Sequence, residues 1–199
     1  MKYTAVFALL ALTSGFAYAD GGLAGARVGF AGSFGEFKGD DVAAPELGNN
    51  FINDNSVGFK MYGQFPLNDW LAVEAAYHFT NDFEDKSKDE SLPGKLQISF
   101  SGFSLQGLVY IPTTFEEFDA YVKAGYYDFD DDLALNGTNI DSSSERGFVG
   151  GAGLLIHIGE QLGVRLDIDW FNAEVGDLSS VNLGVEYRFG SDSAAADAK

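Results

Sequence analysis

Two histidines, three closely spaced aspartates and ten charged residues set at alternate positions are the side chains here whose type and spacing point to chemistry. His78 and Asp82 lie four positions apart and have the types of a general base and its orienter. No nucleophile motif accompanies them. His157 falls at the other end of a different strand, more than about 10 Å away at about 3.3 Å per residue, so the histidines do not share a site. Asp128-x-Asp130-x-Asp132 opens like a calcium loop, but Leu133 takes the turn-glycine position and Asn139 the place of the closing glutamate. Weak divalent-cation binding by an acidic surface is what remains of that reading. No glycine-rich phosphate loop opens a helix. Neither catalytic residues, nor a cofactor, nor a structural metal centre is expected.

The ten charged residues are Arg27, Lys60, Lys123, Arg165 and Arg188 against Glu74, Asp119, Asp167, Asp169 and Glu186, five of each sign. What must position them is a set of segments with period-two alternation. In residues 181–189, Val181, Leu183, Val185, Tyr187 and Phe189 take one face and Asn182, Gly184, Glu186 and Arg188 the other. Similar alternation marks residues 25–37, 56–65, 70–80, 96–111, 118–129, 147–158 and 162–171. In the fourth of these segments the apolar set changes parity between Phe100 and Phe103, which predicts a bulge near Ser101 and Gly102. Every charge in the set of ten falls on the polar face of its strand.

Lys2, the apolar run of residues 5–16 and Ala17-Tyr18-Ala19 before Asp20 read as a cleaved secretory signal, residues 1–19. No later apolar run is long enough for a spanning helix, since charged residues interrupt each one. Cysteine is absent, so no disulfide framework is available in an oxidising compartment. The net charge of -18 excludes a phosphate-neutralising stripe, and nucleic acid is not an expected partner.

Connection lengths then separate a membrane barrel from a soluble one. Residues 66–69, 112–117 and 159–161 make short links, while 38–55, 81–95, 130–146 and 172–180 make longer ones, in strict alternation. Short turns at one end and long loops at the other are the pattern of outer-membrane barrels. The prediction is an all-β, eight-stranded, antiparallel up-and-down transmembrane β-barrel over residues 20–190, followed by a short polar tail, 191–199. Asn136-Gly137 predicts a hairpin turn that carries its strands past the bilayer.

An eight-stranded barrel is just wide enough inside for its own side chains, so the balanced charges predict a plugged lumen. Inward glycines, Gly29, Gly125 and Gly153 among them, leave room there for Tyr62, Tyr121, Tyr127 and Phe171. For the last hairpin, avoiding like-charge neighbours predicts Arg165 opposite Glu186, Asp169 opposite Asn182 and Leu162 opposite Phe189, with a turn at residues 174–177. A small-solute channel, an envelope enzyme and a soluble lipocalin-like barrel stand as alternatives.

The stretch Tyr62-Gly63-Gln64-Phe65-Pro66-Leu67-Asn68-Asp69-Trp70-Leu71-Ala72-Val73-Glu74-Ala75-Ala76-Tyr77 resembles the second hairpin of the porin-like outer membrane β-barrel family, which includes barrels like the OmpA membrane domain. The resemblance extends over residues 20–199 and implies architecture more than activity. Tyr187-x-Phe189 resembles the signal read by the barrel assembly machinery, here followed by a short tail. The partners implied are outer membrane lipid and lipopolysaccharide, that machinery during insertion, and divalent cations at the acidic loops. The barrel is expected to be a monomer.

Overall fold

The computed structural model describes residues 25–39, 53–84, 96–112, 114–115, 117–173 and 176–190. The expected signal segment and the tail lie outside these residues. Nine strands follow in chain order: β1 Arg27–Gly39, β2 Asn53–Pro66, β3 Leu71–Thr80, β4 Phe83–Glu84, β5 Leu96–Ile111, β6 Phe118–Leu135, β7 Thr138–Ile158, β8 Leu162–Ala173 and β9 Gly176–Arg188. β4 continues the stave begun by β3, since both pair with β5. The staves are therefore eight, all antiparallel, and the β3–β5 and β1–β9 ladders leave no open edge around the girth.

The registers also fix the tilt. Stepping from partner to partner, Arg27 leads to Gln64, Glu74, Gln106, Gly125, Val149, Phe171 and Leu178, and back to β1 at Phe37. One circuit therefore advances the chain by ten residues along β1, from 27 to 37. A stagger of this kind accompanies strands inclined at about 35–45° to the barrel axis. The same row climbs from charged to apolar residues, which already shows that the interior is layered.

Alternation decides which side chains face out. Phe30, Val57, Leu105, Leu154, Leu166 and Val185 are exposed, while Lys60, Tyr62, Glu74, Arg165 and Asp169 are buried. A soluble protein would have the opposite arrangement. Only a surrounding apolar solvent makes this polarity stable, because each exposed strand face is otherwise a large apolar patch in water.

The first and last described residues lie at the same end of the cylinder, where Gly25 N–H donates to Phe189 O and Phe189 N–H to Ala26 O. The β2–β3, β5–β6 and β7–β8 connections are at this end as well. At the opposite end β5, β6 and β7 rise above their neighbours as a wall. Asn136 and Gly137 turn its β6–β7 hairpin with φ of 53° and 75°, the left-handed pair of a type I′ turn, as the sequence predicts.

Three expectations are corrected. β5 has no bulge at Ser101 and Gly102, since its registers with β3 and β6 run unbroken through both residues. The apolar residues change parity because Ile98 and Phe100 point inward, into an apolar core, while Phe103, Leu105 and Val109 point outward. The last hairpin is shifted by two residues from the expected register: Arg165 lies opposite Gly184, Asp167 opposite Asn182, Asp169 opposite Ser180 and Leu162 opposite Tyr187. The 172–180 link is correspondingly short, with Ala173 already paired to Gly176. Cross-strand charge pairing does not set this register, because the barrel is narrow enough for Arg165 to find its carboxylates on other walls.

Candidate functional site

Three layers fill the interior, and the middle one holds six ionised side chains. Lys60 from β2, Lys123 from β6 and Arg165 from β8 meet Glu74 from β3 and Asp167 and Asp169 from β8. Lys60 Nζ lies 2.9 Å from Glu74, 3.4 Å from Asp167 and 3.3 Å from Asp169. Lys123 Nζ lies 2.7 Å from Asp169 and 3.3 Å from Asp167. Arg165 reaches Glu74 at 2.6 Å and Asp167 at 3.0 Å. None of the six side chains is more than 2% exposed.

Burying six charges is tolerable because each meets opposite charge, and some meet further hydrogen bonds as well. Tyr121 OH donates to Asp167, and Asn182 Nδ2 donates to Asp169 at 3.0 Å. The guanidinium of Arg165 lies over the Tyr62 ring at 4.2 Å and the Tyr121 ring at 5.0 Å. Glycine makes room for these rings as expected. A Cβ on Gly29 would collide with the Tyr62 ring, and one on Gly153 with the Tyr121 hydroxyl.

Toward the terminal end the remaining charges form a looser chain. Arg27 bonds to Glu186 at 3.2 Å, and its other guanidinium nitrogen lies 3.7 Å from Asp119. Tyr62 OH also donates to Glu186, and His157 Nε2 lies 3.0 Å from Asp119. Arg188 sits at this rim, directly across the β1–β9 seam from Arg27. The sequence-predicted charges thus gather in a central knot and a rim chain, with Arg165 to Glu186 at 3.9 Å linking the two.

The outer layer is apolar. Phe37, Phe83, Phe100, Phe129, Phe171 and Leu178 are buried against one another beneath the raised wall. His78 lies against this layer with ring centroids 5.5 Å from Phe129 and 5.3 Å from Phe171, its Nε2 at 2.9 Å from Ser104 Oγ. The suggested His78–Asp82 pair is not formed; Asp82 accepts instead from Gln97. Sequence reasoning missed this aromatic plug, although the parity change in β5 was its signal.

The acidic stretch of β6 is a ladder and not a loop. Ser142 donates to Asp132 at 2.7 Å and Ser144 to Asp130 at 2.8 Å, while Arg146 pairs with Asp128 at 2.9 Å. Among the described residues no cluster of three or more metal-ligating side chains is found. Tyr187 and Phe189, the assembly-signal candidates, pack edge to face at 5.2 Å next to the closing seam.

Comparison with known proteins follows the same architecture. A model of the outer membrane protein beta-barrel domain matches residues 5–189. The attachment invasion locus protein Ail of Yersinia pestis superposes with a TM-score of 0.57 at 17% identity, covering 83% of this chain and 99% of Ail. Neisserial surface protein A gives 0.60 at 13% identity over 83% and 98%. The outer membrane protein OprG of Pseudomonas aeruginosa gives 0.58 at 14% over 84% and 97%. At these identities the likeness is one of fold. No curated protein sequence matches the chain.

Proposed function

The chain belongs to the outer membrane protein beta-barrel domain family, and on that premise we propose a structural and surface-interacting barrel with a closed lumen, not a channel. The observation that carries this reading is the central charge layer: six side chains from four walls, bonded across the axis. A continuous water path would have to break several of those bonds at once. The aromatic layer above it is a second barrier of independent chemistry.

Residues 1–19 act as the cleaved export signal, and Tyr187 and Phe189 are presented to the assembly machinery. The short-turn end faces the periplasm and the wall of β5, β6 and β7 faces outward among lipopolysaccharide headgroups, where Asp128, Asp130 and Asp132 attract divalent cations weakly. His78 has no catalytic role, being enclosed by Phe129, Phe171 and Ser104. The barrel works as a monomer. Planar-bilayer recording of purified protein tests the reading, with no steady open level expected. A stable conductance in the wild-type protein would overturn it in favour of the channel.

A further inference from the structure

The wall that rises at the outer end has one bare side. β7 pairs with β6 from Thr138 to Ile156 but with β8 only up to Val149, opposite Phe171. Among the described residues no strand pairs with this edge above that point. Residues 138–147 therefore present an edge about 33 Å long at about 3.3 Å per residue.

Which backbone groups lie bare follows from alternation. His157 N–H donates to Glu117 O on the β6 side, so odd-numbered residues of β7 below the Leu133/Ala134 irregularity aim their backbone groups at β6. Even-numbered residues aim theirs at the β8 side. Up the free edge these are Arg146, Ser144 and Ser142. The Ser142 N–H bears this out, since it is held by the Asp141 carboxylate at 2.9 Å and not by a strand. Edges of this length are usually blunted by lysine, proline or a bulge in the edge itself. The lower part, residues 141–147, has neither lysine nor proline and runs in unbroken register with β6.

At the base of the edge, where β8 parts from β7, an open depression of about 360 Å³ is lined by Phe148, Trp170, Ala124, Gly150, Asn172 and Asp177. Gly150 is not there for the backbone. A Cβ on it would meet nothing nearer than Lys123 O at 4.0 Å, in ordinary contact, and its φ is not positive. Gly29, Gly147, Gly151 and Gly153 are filled against by tyrosine or lysine side chains, whereas Gly150, like Gly32, Gly63 and Gly107, leaves open space.

We propose that the free edge of β7 and the depression at its base together receive an extended, basic polypeptide segment of another protein, added as a strand antiparallel to residues 142–147 with an apolar side chain seated between Phe148 and Trp170. Strand addition draws affinity from main-chain bonds and specificity from side-chain pockets, and both are present here. Charge selects the partner. Asp141 lies on the edge strand, and Asp128, Asp130 and Asp132 on the next; Arg146, the one cation of the edge, is already bonded to Asp128. A second copy of this chain would bring the same acidic edge against itself. An acyl chain would suit the depression but leaves the bare amides unexplained.

This inference names the partner class within the surface-interaction reading, and its failure would leave the closed lumen, tested by conductance, untouched. The probe is a fluorescent peptide of about eight alternating lysine and threonine residues ending in phenylalanine, titrated onto the wild-type barrel in nanodiscs. Binding is expected, with slowed amide exchange at Ser144 and Arg146. N-methylation of alternate peptide amides keeps charge but removes donors, and should weaken binding at least about tenfold. Ser144→Pro removes one edge donor and should do the same, whereas Ser144→Ala should not. Gly150→Leu should weaken the phenylalanine-ended peptide and leave an alanine-ended one unchanged. No binding, equal binding of the N-methylated peptide, or a depression found holding only lipid while the peptide ignores Gly150→Leu would each overturn the proposal.

Discussion

At the residue scale, Glu74 is the side chain on which the central layer most depends. It bonds both Lys60 and Arg165, at 2.9 and 2.6 Å, and is fully buried. Glu74→Gln keeps the shape but leaves two buried cations short of a counter-charge, and such breakages cost about 3–5 kcal/mol. Urea titration in lipid vesicles, read by the gel shift between folded and unfolded protein, should show that loss. Neutralising Arg146, whose side chain is 79% exposed beside Asp128, should barely move the midpoint. Facing is tested by Val185, 59% exposed: Val185→Lys puts a charge into acyl tails and should cost about 2–4 kcal/mol near midplane. An unchanged midpoint for Val185→Lys would mean the outward face is not in lipid. The ten charges were legible as an inward set because each occupies the parity opposite to an apolar run. Their partners were not, since contacts across the axis leave no spacing rule in the sequence: Arg165 and Glu74 are ninety-one positions apart and meet only when the barrel closes.

At the element scale, the β8–β9 hairpin shows what local reasoning misses. Pairing rules for open sheets favour opposite charges face to face. In this barrel Arg165 instead faces Gly184, and Gly176 and Asp177, expected in the turn, are paired with Ala173 and Asn172. Engineered disulfides distinguish the registers. Leu162 and Tyr187 form a non-hydrogen-bonded pair, because the adjacent Arg188 N–H donates to Gln161 O. Such pairs have Cα atoms about 4.5 Å apart, within reach of a disulfide. Leu162→Cys with Tyr187→Cys should oxidise quantitatively on non-reducing gels. Leu162→Cys with Phe189→Cys should stay reduced, and crosslinking of that second pair would restore the original register. β5 teaches the complementary lesson: its alternation runs unbroken through Ser101 and Gly102, and the expected bulge came from assuming that apolar means outward, which fails where the lumen has an apolar storey of its own.

At the scale of the whole molecule, the interior is closed twice, by bonded charges at the centre and by packed aromatics toward the outer end. A narrow barrel with only the charge layer could conduct during rare openings of its ion pairs, and one with only the aromatic layer could open by rotamer changes. With both layers the openings must coincide. Phe129→Ala with Phe171→Ala should lower stability by several kcal/mol, each truncation costing about 3–5 kcal/mol, yet leave the conductance trace flat, because Lys60, Lys123 and Arg165 still cross the lumen below. Lys123→Ala with Tyr121→Ala should also stay closed, since the aromatics remain above. Combining the four substitutions should produce discrete openings in planar bilayers, provided the variant still migrates as a folded barrel before heating. Steady current from either double variant alone would show that one layer carries the seal. Silence in the quadruple variant would place it in the segments between the strands.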